Sequence, residues 1–391
     1  MTTVLATAFV LLVLIFIHEL GHFLAARSVG VKVLRLSLGF PPRLFSFRST
    51  SSGWIFRFFF FRRNDSGKLK WLPVIEKAIS KPLSRASETD YCVALVPLGG
   101  FVRMAGTIDE NLDETITGAP HELASKNRVQ QVWVMSAGVL MNVLLAVLVF
   151  AVLTYLTGIP EFTDEPIILE VLTSYPAEEA GMARGDRILR VADQRADTWT
   201  DVRDLIRERP LETISIQWER DGEVMTAGIT PREEQNVEGD EMKTVGLIGI
   251  SGGYEIRNAG VGESLGQGFL RTGIWFGVIV KSLKMIATGE VSIKEIGGPI
   301  LIAQLAGQSA QEGFLPLLNL LAVISVNLAF INIMPIPALD GGHIMIILIE
   351  AIARRQLSAK VRMVIQQAGM ALLLLLILVI IYNDLTRLFV N

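Results

Sequence analysis

Two histidines and a glutamate stand within five positions of one another, in His18-Glu19-Leu20-Gly21-His22. On a helix, residues four apart share a face, so both imidazoles can hold one metal ion while Glu19 points nearby. That is the HExxH arrangement, in which two His ligands hold zinc and the Glu takes a proton from an activated water. The residues around it, about 3–26, are otherwise almost wholly apolar. An ionisable side chain inside such a stretch costs about 2.5–3.5 kcal/mol on insertion scales. Three titratable groups together there have no account in packing and read as a metal site.

A tetrahedral zinc needs a third protein ligand and an open position. No HxxGxxH continuation follows, and the other histidines are His121, in a polar loop, and His343. Asp340 is the acid best placed near the end of an apolar segment, after Ile333-Met-Pro-Ile-Pro-Ala-Leu. Pro335 and Pro337 interrupt the helix there and free its backbone, which is tolerated at membrane depth only where it lines protein or water. Asp340 is the expected third ligand. His343 is its rival, and an ordinary helix cap is the other role open to Asp340.

The elements that must position these groups are membrane spans. The chain has 391 residues, 51% hydrophobic and 19% charged, with a mean hydropathy of +0.45. A soluble chain carries about 25% charged residues, so a polar enzyme, a disordered chain and a coiled coil are excluded. The net charge of −3 gives no basic footprint, so no nucleic-acid partner is expected. One cysteine, Cys92, leaves no intrachain disulfide and no Cys-rich metal site. Stretches 3–26, 131–158, 313–339 and 363–382 each supply the about 20 apolar residues a crossing needs. The first lacks a basic leader and a cleavage site and reads as a permanent span.

Orientation follows Lys and Arg. Residues 27–107 hold 14 Lys/Arg against 4 acids, and Arg354, Arg355, Lys360 and Arg362 lie between the last two spans. Both segments are expected in the cytoplasm, and the acidic region after the second span outside. An apolar run at 265–288 is cut by Lys281 and Lys284 and is expected as an amphipathic helix on the outer surface. Leu34, Leu36 and Leu38 alternate with polar residues, a strand signature. With 91–102 and the aromatic run from Trp54, they suggest a β-hairpin dipping to the membrane from inside. Residues 161–253 form an external unit with strand-like runs at 167–172, 187–191, 213–219 and 224–229 and a helix at 200–207 capped by Thr198. Within it Ser174-Tyr-Pro-Ala-Glu-Glu-Ala-Gly-Met-Ala-Arg-Gly-Asp-Arg-Ile-Leu-Arg-Val resembles bacterial PDZ domains. Gly246-Leu-Ile-Gly249 is the candidate loop for a bound C-terminal peptide.

His18-Glu-Leu-Gly-His22 together with Asn332-Ile-Met-Pro-Ile-Pro-Ala-Leu-Asp340-Gly resembles the site-2 protease family of intramembrane zinc metalloproteases. Val96-Pro-Leu-Gly-Gly-Phe-Val-Arg-Met104 is similar to that family's membrane-entering β segment, and Gly297-Gly-Pro-Ile also fits. Ser136-Ala-Gly-Val-Leu-Met-Asn142 is similar to its second-span motif, with Val139 where Pro is usual. Residues 48–87 look like an insertion, and one PDZ domain stands where the best-known enterobacterial relatives have two. The resemblance implies zinc held by His18, His22 and Asp340, with Glu19 as base. It implies Asn142 and Asn332, with Pro335, as residues that line the site and hold the substrate backbone. Asn319 and Asn327 are assigned to interhelical hydrogen bonds.

The implied substrate is the transmembrane segment of a single-span protein such as an anti-sigma factor, with remnant signal peptides also in reach. A metal transporter and an inactive PDZ scaffold are the rival readings. The expected fold is a polytopic α-helical membrane protein of the inner membrane, with four transmembrane helices in the lipid bilayer. It carries a cytoplasmic membrane-associated β-loop and one periplasmic PDZ-like α+β domain. The expected segments are 1–27 (first span), 28–128 (cytoplasmic β-loop), 129–158 (second span), 159–255 (PDZ-like domain), 256–311 (amphipathic helix and linker), 312–342 (third span) and 343–391 (loop and fourth span).

Overall fold

The computed structural model describes residues 1–63, 69–80, 87–107, 117–238, 241–292, 297–355 and 357–390. Parts of the expected β-loop, at 64–68, 81–86 and 108–116, lie outside the described residues. Two compact units are formed, one by 1–153 with 261–391 and the other by 154–260. Among the described residues, four helices are long and apolar enough to cross a membrane.

The first is α1 (Thr2–Ser28), which carries the HExxH run. Four strands follow: β1 (Val33–Thr50), β2 (Gly53–Arg63), β3 (Leu69–Ser80) and β4 (Asp90–Met104). The expected single hairpin is corrected to a four-stranded sheet in the order β3-β2-β1-β4. The reason is the run read as an insertion, whose β2 and β3 pair over eleven registered positions and extend the sheet. β1 and β4 both double back. Gly39 (φ 92°) turns β1, and residues 90–94 lie between its two halves while Gly100–Met104 pair with the outer side of 33–38. That last stretch of β4 is therefore the sheet's free edge among the described residues. α2 (Arg128–Thr157) then crosses α1 closely. A Cβ on Gly21 would lie 2.4 Å from the carbonyl oxygen of Ala137.

The second unit holds β5 (Ile159–Phe162), β6 (Ile168–Val171), α3 (Pro176–Glu179), β7 (Arg187–Val191), β8 (Gln194–Arg195) and α4 (Trp199–Arg207). It continues with β9 (Ile214–Arg220), β10 (Glu223–Ile229), β11 (Arg232–Glu238), β12 (Glu241–Leu247), β13 (Ile250–Gly252) and β14 (Tyr254–Arg257). Its main sheet runs β10-β9-β7-β8. Ile188, Ile216, Trp218 and Val202 are buried in one core between sheet and α4. Thr198 caps α4 in a reciprocal box with Asp201, satisfying donors the helix cannot. Of the run expected as a peptide loop, Gly246 and Leu247 are paired with β11, and a Cβ on Gly249 would fall 2.1 Å from the Tyr175 side chain.

The chain returns to the first unit with α5 (Val261–Thr288), α6 (Pro299–Glu312), α7 (Phe314–Ile333), α8 (Asp340–Ala353) and α9 (Ala359–Val390). α5 starts earlier than the apolar run suggested and packs Trp275 and Ile279 against Ala146 and Phe150 of α2. Its Arg271 lies over the Phe150 ring and donates to Asn319 Oδ1 at 3.0 Å, so Asn319 bonds between helices. α6 stands where a linker was expected. Its amides at Gly298 and Ile300 donate to Asp384 of α9, each at 3.0 Å, which explains the Gly-Gly-Pro-Ile run as a helix start.

The third span is shorter than 312–342. α7 ends at Ile333, and Asp340 opens α8 where a loop was expected. Pro335 and Pro337 cannot donate to a continuing helix. The link wraps so tightly that a Cβ on Gly341 would lie 2.2 Å from the carbonyl oxygen of Ile333.

Candidate metal centre and active-site cavity

α1 presents His18 and His22 on one face, and the break after α7 brings Asp340 to them. Asp340 Oδ2 is 3.2 Å from His18 Nε2, Asp340 Oδ1 is 3.4 Å from His22 Nε2, and the two Nε2 atoms are 3.3 Å apart. Both imidazoles are buried. Zinc bonds of 2.0–2.2 Å at tetrahedral angles put neighbouring ligand atoms roughly 3.3–3.5 Å apart. The three observed separations match that spacing. Asp340 Oδ2 is buried without a hydrogen-bond partner, so the donor set fits the metal. His343, the rival, lines the cavity but is not in this cluster, the one potential metal-holding group among the described residues.

The surroundings fix the imidazoles. His22 Nδ1 donates to the carbonyl oxygen of Val134 at 2.8 Å, which turns the Nε2 lone pair towards the centre. Gly138 of α2 gives the ligands room: a Cβ there would lie 2.4 Å from His22 Nε2 and 2.8 Å from His18 Nε2. Asn142, one turn further along α2, requires a correction. Expected to hold substrate, it is 0% exposed, its side-chain amide stands 3.2 Å from His18 Nδ1, and its backbone carbonyl accepts from Ser325 Oγ. A side chain so enclosed cannot reach a peptide. Asn332 Nδ2 is 3.4 Å from His18 Nε2 and half-buried, so it does border the centre. Pro335 is exposed in the link and does not line the cavity.

A cavity of about 770 Å³ opens from the triad and is lined by Glu19, by Gly100–Val102 and Met104 of β4, and by Arg128, Glu350 and Arg362. Glu19 and Val102 both line it, so this strand borders the candidate base. A Cβ on Gly100 would lie 2.8 Å from Ile15 Cγ2, 2.9 Å from the Ser37 carbonyl oxygen and 3.1 Å from Glu19 Cγ, so glycine there lets β4 come close to α1 and the base. Glu350 accepts from Arg128 at 2.9 Å, from Leu357 N at 2.9 Å and from Arg362. Gly138, Gly100 and Glu350 were not singled out in the sequence. The two glycines lay inside motifs already noted; Glu350 carried no spacing signal.

Peptidase family M50 matches residues 6–67 and 77–376. The chain belongs to peptidase family M50. It is 30% identical to the zinc metalloprotease RasP of Bacillus licheniformis over 100% of both chains. It is 29% identical to RasP of Geobacillus kaustophilus over 96% of both. It is 26% identical to the regulator of sigma-W protease RasP of Bacillus subtilis, over 99% of both. The PDZ domain of an SdrC-like protein from Listeria monocytogenes is matched at 19% identity over 24% of this chain and 92% of that one. Its TM-score is 0.19, which assigns no fold to the second unit. This M50 member is a membrane metalloendopeptidase with zinc as its cofactor.

Proposed function

We propose that this M50 peptidase hydrolyses a peptide bond inside the transmembrane segment of a single-span protein, with His18, His22 and Asp340 holding the zinc. The observation that carries this is the convergence of Glu19, His18 and His22 of α1, a helix apolar enough to cross a membrane, with Asp340 at the start of α8 and the strand edge Gly100–Met104. A transmembrane helix hides its carbonyls in hydrogen bonds, so the substrate must unwind before attack. The edge Gly100–Met104 borders Glu19 and can hold the unwound segment by strand addition. Zinc held by the triad supplies Lewis-acid polarisation of the carbonyl and acidifies water. Glu19 takes the water's proton and passes it to the leaving amine. Asn332 borders the reacting centre and donates to the substrate there. Asn142 orients His18.

The substrate class is an anti-sigma factor in envelope-stress signalling, by analogy with the relative named for sigma-W, with remnant signal peptides as a second class. The site lies near the cytoplasmic face of the inner membrane and the second unit, PDZ-like, in the periplasm. The Lys/Arg bias of 27–107 supports that orientation. The second unit acts as a filter against substrates with bulky external domains, because it is inserted between two spans and half of its 246–249 run is paired in a strand.

The test incubates purified protein with a single-span substrate, with and without chelator, beside Glu19→Gln. Cleavage should stop with chelator and with Glu19→Gln, while the variant keeps its zinc. Full turnover by the variant refutes the role of Glu19. Replacing 162–252 by a short linker should admit a large substrate and leave a trimmed one cut as before; silencing of both would favour a peptide-activated switch.

A further inference from the structure

Strand alternation sorts the β2–β3 ribbon into two faces, which differ most over 53–58 and 75–80. Directly paired residues share a face. Trp54↔Ile79, Phe56↔Lys77, Phe58↔Ile75, Phe60↔Leu72 and Arg62↔Lys70 therefore lie on one side, and Phe45 and Phe47 of β1 extend it. That side is apolar except for Arg62, Lys70 and Lys77. It is also uncovered, with Phe58 42%, Phe60 53%, Ile75 62% and Ile79 46% exposed. Scattered exposed apolar residues are ordinary, but a contiguous patch marks an interaction surface. The other side carries the Arg57–Glu76 ion pair beside Ala78 at that end, while towards the 63–69 end both sides are apolar, with Phe61 57% and Leu69 64% exposed on the second.

The patch is continuous with a spanning helix. Phe56 stacks on Phe47, Phe47 on Tyr91, and Tyr91 meets Phe23 of α1 at 5.9 Å, one residue beyond His22. The described ribbon carries Arg57, Arg62, Arg63, Lys70 and Lys77 against Glu76 alone. The family match omits residues 68–76, so this part of the ribbon lies outside what the family shares.

We propose that this face lies on the bilayer surface and that Arg62, Lys70 and Lys77 bind anionic phospholipid headgroups. Aromatic rings settle at headgroup depth, and basic side chains beside them are drawn to an anionic leaflet within a Debye length. The proposal rests on the reading that α1 and α2 cross the bilayer.

The full chain, in a Cys92→Ser background, is reconstituted in nanodiscs of phosphatidylcholine with or without phosphatidylglycerol. Nitroxides are placed singly by Phe60→Cys, Ile75→Cys, Ala78→Cys on the opposite face and Leu148→Cys on α2, and collisions with oxygen and a water-soluble nickel chelate are measured. In anionic discs the Phe60 and Ile75 sites should be severalfold better shielded from nickel than the Ala78 site. Arg62→Gln with Lys70→Gln and Lys77→Gln should abolish that shielding. Equal nickel access in both lipids overturns the proposal, as does equal shielding without anionic lipid. Spin–spin broadening between chains also overturns it, by assigning the face to a second copy. Nickel access at the Leu148 site would instead break the spanning reading itself.

Discussion

Asp186 is fully buried and Asp340 half-buried, and their surroundings are opposites. Asp186 receives Arg220 Nε at 2.7 Å, Arg220 Nη2 at 2.8 Å and the Ala183 amide at 2.8 Å. Its negative charge is matched by donors the chain itself supplies, and it ties the Gly185-Asp186 turn to β9. Asp340 faces two imidazoles, one of which already spends its Nδ1 proton on Val134, and one carboxylate oxygen has no hydrogen-bond partner. A buried charge without donors is costly. His18, His22 and Asp340 converge at zinc-ligand spacing, so a cation is the partner that would complete Asp340. Glu350 shows that depth in the cavity is not the criterion, because it lines the same space yet is satisfied by two arginines and an amide.

The largest effect should come from exchanging these aspartates for asparagine and asking what each loses. Asp340→Asn removes a ligand's charge, so zinc per chain and substrate cleavage should both fall to background. His343→Ala should keep most of both. A zinc-loaded, active Asp340→Asn protein would erase the distinction between the two carboxylates. Gly138→Ala should come close behind, since its Cβ needs the space of His22 Nε2 at 2.4 Å. Metal analysis should show zinc loss in a protein that still inserts into membranes; normal zinc content would mean that α1 and α2 separate freely.

The candidate metal cluster was legible because HExxH inside an apolar helix has few other meanings. Asp340 was reachable through the Pro335 and Pro337 break. The helix after that break was not, because 340–353 is apolar and sits where a basic loop was expected. The β2–β3 ribbon was half-legible: its aromatic run announced an interface, but pairing with 69–80 is a long-range choice that alternation within one strand does not fix. In the second unit, β7 and α4 matched their local signals of alternation and capping. β5 and β14 did not appear, because a two-stranded pairing of four exposed residues leaves little periodicity to read. Asn142 was placed near the site but given the wrong task. Its neighbour on α1 depends on a helix crossing at Gly21 and Ala137 that only the packing reveals.

A smaller effect should separate a ligand from the group that orients it. With zinc on His18 Nε2, the Nδ1 atom carries the proton and needs an acceptor, which the Asn142 amide offers after a half-turn that exchanges its oxygen and nitrogen. Asn142→Leu should lower zinc affinity ten- to hundred-fold, the range for such outer partners, and Asn142→Asp should restore part of it. Chelator competition measures both. Equal affinity for all three proteins would make Asn142 a packing residue only.

The smallest effect lies on the other side of the comparison. Burial alone would raise the Asp186 carboxyl, but the Arg220 guanidinium and the Ala183 amide outweigh it and hold the group below its ordinary value. A carboxylate lowered on folding contributes stability that is complete above the unfolded pKa, about 3.9, and is lost as pH falls through the folded value. Asp186→Asn should therefore cost about 1.5–3 kcal/mol at neutral pH, the scale of hydrogen bonds to a charged group, and leave zinc content unchanged. Hydrogen exchange at 187–191 in the full chain reads this directly. Protection there should fall in the variant at pH 7 and converge with the parent as the solution is acidified below the ordinary carboxylate range. A constant difference at every pH would mean that the packing of the turn, and not its charge, holds β7 in place.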